Sequence, residues 1–255
     1  MTPFILIAAA VQAASPTGAE AAELKACMAL VKSAPEKALD QAGAWRLKGG
    51  GLSARQCLGL AYAALERWAP AATAFEQAAA EAETARDPRG GDLWAQAGNS
   101  WLAGGDPARA RKAFDAALAG TALAPALRGE VHLDRARADV AIGDIPSARA
   151  DIQKALELVA ADPFAWYLSA ALARREGDLG RARADIAKAL AMASDDADVQ
   201  LEAGNIAGLS GDIAAARDHY ARAVGAAPES AAGKAAATAL AANPAETPVS
   251  AKPTA

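Results

Sequence analysis

The sequence GDPARA at residues 105–110 recurs in variant form three times, as GDIPSA at 143–148, GDLGRA at 177–182 and GDIAAA at 211–216. Successive copies are 38, 34 and 34 residues apart, and each lies between two apolar stretches with helical spacing. Glycine readily adopts the left-handed conformation that ends a helix, and aspartate can then accept hydrogen bonds from free N–H groups that open the next helix. Each copy is therefore predicted to be the turn of a helical hairpin. A fixed period of such hairpins indicates an α-solenoid.

The composition favours an all-α protein and argues against nucleic acid as a partner. Hydrophobic residues make up 53% of the 255 residues and aromatic residues only 5%. Alanine, the best helix former, supplies much of the apolar content, whereas strand-forming residues are scarce. The formal net charge is −4, and binding to a phosphate backbone requires concentrated lysine and arginine instead.

The N-terminus has the pattern of a secretory signal. Residues 4–11 form a short apolar core that ends in Val-Gln-Ala, although no lysine or arginine precedes it. Residues 1–13 are therefore predicted to be a signal peptide that is cleaved after Ala13. This would place the mature protein in the periplasm or otherwise outside the cytoplasm, without stable membrane insertion after cleavage. The alternative is a cytoplasmic protein in which these residues are merely a tail.

The chain has two cysteines, Cys27 and Cys57. They could be two small buried side chains. They could also form a disulfide that closes a loop of about 30 residues, which would stabilise the fold by roughly 3 kcal/mol in the chain-entropy model. A disulfide requires an oxidising compartment, so this second alternative depends on export.

A common pattern of small and large side chains flanks the turns. In its first copy Leu58, Gly59 and Tyr62 are followed by Ala71 and Phe75. This spacing resembles the tetratricopeptide repeat (TPR), whose signature is Trp-x2-Leu-Gly-x2-Tyr and then Ala-x3-Phe. In each copy a glycine or alanine of the first helix would let the second helix approach, and a large residue of the second helix would fill the gap to the next hairpin. These large residues are Phe75, Phe114, Ile152, Ile186 and Tyr220.

The resemblance covers about residues 52–228 and implies a right-handed all-α solenoid. About five hairpins are predicted, at 52–85, 91–124, 129–162, 163–196 and 197–228. An irregular, degenerate helical hairpin is predicted for 14–51, a capping helix for 229–242 and a disordered tail for 243–255. The first hairpin has Glu66-Arg67-Trp68 where the others have Gly-Asp, so its bend need not be the same.

No set of residues predicts an active site, a metal site or a cofactor. His132 and His219 are the only histidines, and neither combines with a cysteine at a metal-ligand spacing. The run Gly49-Gly50-Gly51 lacks the lysine and serine or threonine of a phosphate-binding loop. The chain is therefore expected to be non-enzymatic. An accessory TPR domain of an enzyme is the less favoured alternative, and the predicted cap argues against open self-assembly through the ends.

The resemblance also implies a concave groove formed by the first helix of every hairpin, in which proteins with this repeat commonly hold a partner's peptide or helix. The second, fifth, ninth and twelfth positions of each repeat face the groove. Transferred to this chain, they include Gln56, Leu60, Asp92, Glu130 and Phe164. The residues predicted to bind a partner are Asn99, Leu133, Arg137, Tyr167, Arg174, Leu201 and Asn205. Lysines that would clamp a C-terminal carboxylate are absent from these positions, so that mode is not expected.

The sequence thus predicts a protein–protein interaction scaffold that binds a protein or peptide segment in its groove in the periplasm. A cytoplasmic TPR adaptor or assembly factor is the alternative. Neither the partner nor the oligomeric state follows from the sequence.

Overall fold

The computed structural model describes residues 18–120 and 122–243, and this part of the chain is all α-helix, without strands. The predicted signal peptide (1–13) and residues 244–255 of the predicted tail lie outside the described residues. The helices are α1 Gly18–Ser33, α2 Pro35–Leu47, α3 Gly51–Ala64, α4 Trp68–Ala85, α5 Gly90–Ala103, α6 Pro107–Ala119, α7 Pro125–Ile142, α8 Ile145–Leu158, α9 Pro163–Arg175, α10 Leu179–Met192, α11 Ala197–Leu209, α12 Ile213–Ala226 and α13 Ala231–Ala242. The predicted fold class is therefore confirmed.

The chain forms two compact units, the first ending at Ala148 and the second beginning at Arg149. In the first unit, helices α3 and α4 pair as a hairpin, as do α5 and α6. In the second unit the hairpins are α9 with α10 and α11 with α12. The first helix of each of these pairs carries the residues predicted to face a groove.

The four Gly-Asp turns have the predicted geometry. Their glycines have φ between +77° and +87°, the left-handed region that ends a helix. Each aspartate accepts a hydrogen bond from the backbone N–H three residues further on, at 3.0–3.2 Å. These aspartates are Asp106, Asp144, Asp178 and Asp212. The turns are thus helix caps, which is the role predicted for them.

The turn of the first hairpin bends in the same way without glycine or aspartate. Glu66 has φ +55°, and the N–H of Arg67 donates to the carbonyl of Tyr62 at 2.9 Å. At the next turn the N–H of Asp106 donates to Trp101 at the same distance. Arg67 supplies no side-chain cap. An exposed glutamate therefore adopts here the left-handed backbone that glycine adopts at the other turns.

The contact between first and second helices depends on glycines that face an aromatic ring. A Cβ atom on Gly98 would lie 2.4 Å from the ring of Phe114, and one on Gly204 would lie 2.4 Å from the ring of Tyr220. The five large residues predicted to fill the gaps are all buried, with at most 6% of their surface exposed. The small-and-large pattern read from the sequence is therefore the pattern of the core.

Within the first unit, the N-terminal helices α1 and α2 pack against α3. Cys27 of α1 and Cys57 of α3 are paired as a disulfide, with Cα atoms 6.2 Å apart, and both are fully buried. Nearby, the buried hydroxyl of Ser53 donates to Glu20 of α1 at 2.5 Å and accepts a hydrogen bond from Arg89 at 3.1 Å. These contacts attach α1 to α3 and to the segment before α5.

The C-terminal helix α13 packs against α12 and α11. Ser230 caps its start by accepting a hydrogen bond from the N–H of Gly233 at 3.0 Å. At its end, the guanidinium of Arg217 donates to the carbonyl oxygens of Leu240 and Asn243. Helix α13 therefore covers the last hairpin of the second unit.

Candidate partner-binding face

Four of the predicted groove residues lie on the first helices of the second unit, Tyr167 and Arg174 on α9 and Leu201 and Asn205 on α11. Tyr167, Arg174 and Asn205 are half-buried. Leu201 is also half-buried but packs against the core around Tyr220. We call the surface formed by these residues together with Phe164 the α9–α11 face.

A buried carboxylate organises the α9–α11 face. The Nε of Arg174 donates to Oε1 of Glu202 at 2.6 Å, and Glu202 is only 5% exposed. The amide of Asn205 lies 3.5 Å from the other oxygen of Glu202, and its own oxygen accepts a hydrogen bond from the hydroxyl of Tyr220 at 3.1 Å. The network holds Arg174 and Asn205 in place before any partner arrives, which reduces the conformational entropy lost on binding.

Electrostatics keep Arg174 and Tyr167 in their ordinary protonation states. The hydrogen bond to Glu202 raises the pKa of the Arg174 guanidinium, which therefore remains a cation. The pKa of the Tyr167 hydroxyl is raised, mainly by burial and secondly by the negative charges of Glu202 and Asp198. That hydroxyl is therefore protonated at neutral pH and can donate a hydrogen bond.

An aromatic pair lies beside this network. The rings of Phe164 and Tyr167 stack with their centroids 5.8 Å apart and their planes inclined by 23°. Phe164 is 40% exposed, so one face of the pair is open to solvent. The α9–α11 face thus combines an exposed aromatic surface with an ordered cation and an amide.

The remaining predicted groove residues belong to the first unit, on α5 and α7. Asn99 is exposed. Arg137 is 46% exposed at its side chain and pairs with Asp134 of the same helix at 3.0 Å. Leu133, by contrast, is only 2% exposed, so it is a core residue and offers no surface to a partner. This corrects the groove set: the fifth position of that repeat points inward.

Sequence reasoning missed Glu202, the residue that connects the others. It occupies the sixth position of its repeat, which is not among the positions transferred from the TPR pattern. The sequence does contain a signal that Glu202 is buried. It stands between Leu201 and the small residues Ala203 and Gly204, which lie in the interface between helices. A carboxylate at such a site needs a cation to offset its desolvation.

The described part of the chain shows no group of three or more histidine, cysteine or acidic side chains that could hold a metal ion. His219 has a structural contact instead. Its Nδ1 lies 2.8 Å from Oε1 of Gln200, whose side chain is fully buried. Burial lowers the pKa of the His219 imidazole. Among the helices described, none is long and apolar enough to cross a membrane.

No protein-family model and no curated protein matches the sequence, but solved structures match the fold. PilW, described as a widely conserved type IV pilus biogenesis factor, is 21% identical with a TM-score of 0.70, over 86% of this chain and 98% of that one. PilF of Pseudomonas aeruginosa is 16% identical with a TM-score of 0.69, over 87% and 98%. YrrB, described as a TPR protein with an unusual peptide-binding site, is 17% identical with a TM-score of 0.55, over 77% and 95%. The fold is therefore that of TPR proteins, as the sequence resemblance implied.

Proposed function

We propose that this protein is a non-enzymatic interaction scaffold that holds a segment of a partner protein against the α9–α11 face. The observation that carries the proposal is the exposed Phe164–Tyr167 stack beside the preorganised Arg174–Glu202 pair. Aromatic residues and arginine dominate the binding energy of protein interfaces, and their fixed geometry here lowers the entropic cost of binding.

The chemistry of the face fits an extended segment with both apolar and polar groups. An apolar side chain of the partner would cover Phe164 and Tyr167, and the amide of Asn205 would bond to the partner's backbone. This division into apolar side-chain contacts and main-chain hydrogen bonds is how grooves recognise extended peptides.

The proposal is tested by partner capture with matched variants. The triple variant Asn99→Ala/Tyr167→Ala/Asn205→Ala is compared with Lys112→Ala/Arg183→Ala/Asp218→Ala, in which three exposed residues of second helices are changed instead. Partner recovery should fall about tenfold or more with the first variant and stay unchanged with the second. Equal recovery by both variants would refute binding on the first helices.

We also propose that the protein works in the periplasm. Support comes from the pairing of Cys27 with Cys57, since disulfides persist in oxidising compartments, and from the signal-like pattern of residues 1–13. Thiol labelling of the protein taken from its native cells should require prior reduction, and the mature N-terminus should follow Ala13. Full labelling without reductant, or an intact Met1, would contradict export and favour a cytoplasmic adaptor.

A further inference from the structure

A cleft lies in the first unit, on the side of α3 away from the residues of that helix predicted to face the groove. It is open to solvent, has a volume of about 650 Å³, and is lined by residues of α2, α3 and α4 and by the adjoining ends of α5 and α6. Helix α3 contributes Arg55, Leu58 and Tyr62 to it. The groove positions on the same helix are Gln56 and Leu60, which lie about 150° away around the helix axis. The two surfaces are thus on nearly opposite sides of α3.

The charged residues that line the cleft are all arginines, although the whole chain carries a net negative charge. Three arginines line it, Arg46, Arg55 and Arg109, and no aspartate or glutamate is among its lining residues. Arg55 is paired with Glu81, and Arg109 with Asp106 at 3.1 Å. Arg46 is exposed and forms no ion pair within the described part of the chain. Arg46 is therefore the lining arginine whose charge no carboxylate of the described chain offsets.

The arginine at one end of the cleft is held by an aromatic ring. The guanidinium carbon of Arg109 lies 4.5 Å from the centroid of the Trp101 ring, and the Arg109 side chain is 60% exposed. The ring is fixed in turn, because its Nε1 donates to Glu76 at 2.7 Å. Stacking leaves the N–H groups of a guanidinium available for carboxylates. Leu58 and Tyr62 supply an apolar floor nearby.

We propose that this cleft docks an acidic segment of a partner protein. Carboxylates of the segment would bind Arg46 and Arg109, and an apolar side chain between them would rest on Leu58 and Tyr62. Charge complementarity favours this occupant, since the unpaired Arg46 and the exposed Arg109 beside apolar side chains would attract carboxylates and repel basic segments. The protein would then hold two partner segments on different faces, which goes beyond the function proposed above.

The test uses two pools of short synthetic peptides on the immobilised full chain. Both pools share the same randomised apolar positions, with glutamate at the charged positions of one and lysine at those of the other. The glutamate pool should be retained by the wild type, and the lysine pool should not. In the variant Arg46→Glu/Arg109→Glu, retention of the glutamate pool should fall about tenfold or more at low ionic strength.

Two further variants test whether a loss of peptide retention is specific to the cleft. Arg183→Glu/Arg222→Glu makes the same charge change on exposed second-helix residues of the other unit and should retain the glutamate pool like the wild type. Arg46→Gln/Arg109→Gln repeats the test with a smaller perturbation, and circular dichroism verifies folding. Retention of both pools alike, or equal losses in the control variant, would overturn the proposal. Binding of phosphatidylglycerol vesicles without peptide retention would assign the cleft to a membrane surface and overturn it as well.

Discussion

Arg174 on α9 and Glu202 on α11 form a hydrogen-bonded ion pair of 2.6 Å that joins two consecutive first helices of the second unit. The carboxylate is 5% exposed, so the guanidinium offsets the cost of burying it. The same pair orders the surface on which a partner is proposed to bind. The stability of the second unit and the proposed binding are therefore both expected to depend on this contact.

Removing the cation alone should destabilise the second unit. Arg174→Met leaves Glu202 buried without a cation, and the free energy of unfolding should fall by about 1–3 kcal/mol. The double variant Arg174→Met/Glu202→Leu removes both charges and should recover most of this loss, because the two residues are energetically coupled. Urea unfolding monitored by circular dichroism measures both. Additive losses in the double variant would show that the pair is not coupled.

The glycine facing Phe114 should not tolerate a methyl group. Gly98→Ala places a Cβ atom 2.4 Å from that ring, and overpacking of this kind costs about 1–3 kcal/mol. Gly43→Ala on α2 is the matched control, because no atom lies within 4 Å of its new Cβ and alanine stabilises a helix interior by up to about 1 kcal/mol. Thermal unfolding should thus shift down for the first variant and up for the second. A stabilising Gly98→Ala would contradict the packing described here.

The turn of the first hairpin should be improved by glycine. Glu66 has φ +55°, and a left-handed backbone costs a residue with a Cβ about 1–2 kcal/mol. Glu66→Gly should therefore raise the free energy of unfolding by about 1 kcal/mol. Gly105→Ala is the reciprocal change at φ +77°, with no atom near its new Cβ, and should lower stability by a similar amount. Denaturant midpoints of the two variants should move in opposite directions.

The disulfide should stabilise the attachment of α1. The sequence separation of 30 residues between Cys27 and Cys57 corresponds to about 3–4 kcal/mol in the chain-entropy model. Reduction should therefore lower the unfolding midpoint and increase amide exchange in α1 above all. Dithiothreitol should leave the Cys27→Ala/Cys57→Ala variant unchanged, which controls for other effects of the reductant. An unaffected midpoint in the wild type would mean that the packing of α1 does not need the bond.

The phase of the repeats could be predicted from the sequence because it depends on local chemistry. Glycine and aspartate have conformational and capping preferences that act within one turn, and Gly98 and Phe114 are related by a fixed spacing. The left-handed conformation of Glu66 could not be predicted from the residue type, because a residue with a Cβ atom rarely adopts it. The inward orientation of Leu133 and the ion pair of Arg174 with Glu202 could not be predicted either. Both depend on the neighbouring repeat.

Site-specific photo-crosslinking tests the central claim, that a partner segment lies on the α9–α11 face. A photoreactive phenylalanine analogue replaces Tyr167 in one variant and the exposed Arg183 of α10 in another, and both are irradiated in living cells. We expect a discrete protein adduct from position 167 that is absent from position 183 and is lost when Phe164→Ala is added. No adduct from position 167, or equal adducts from both positions, would contradict it.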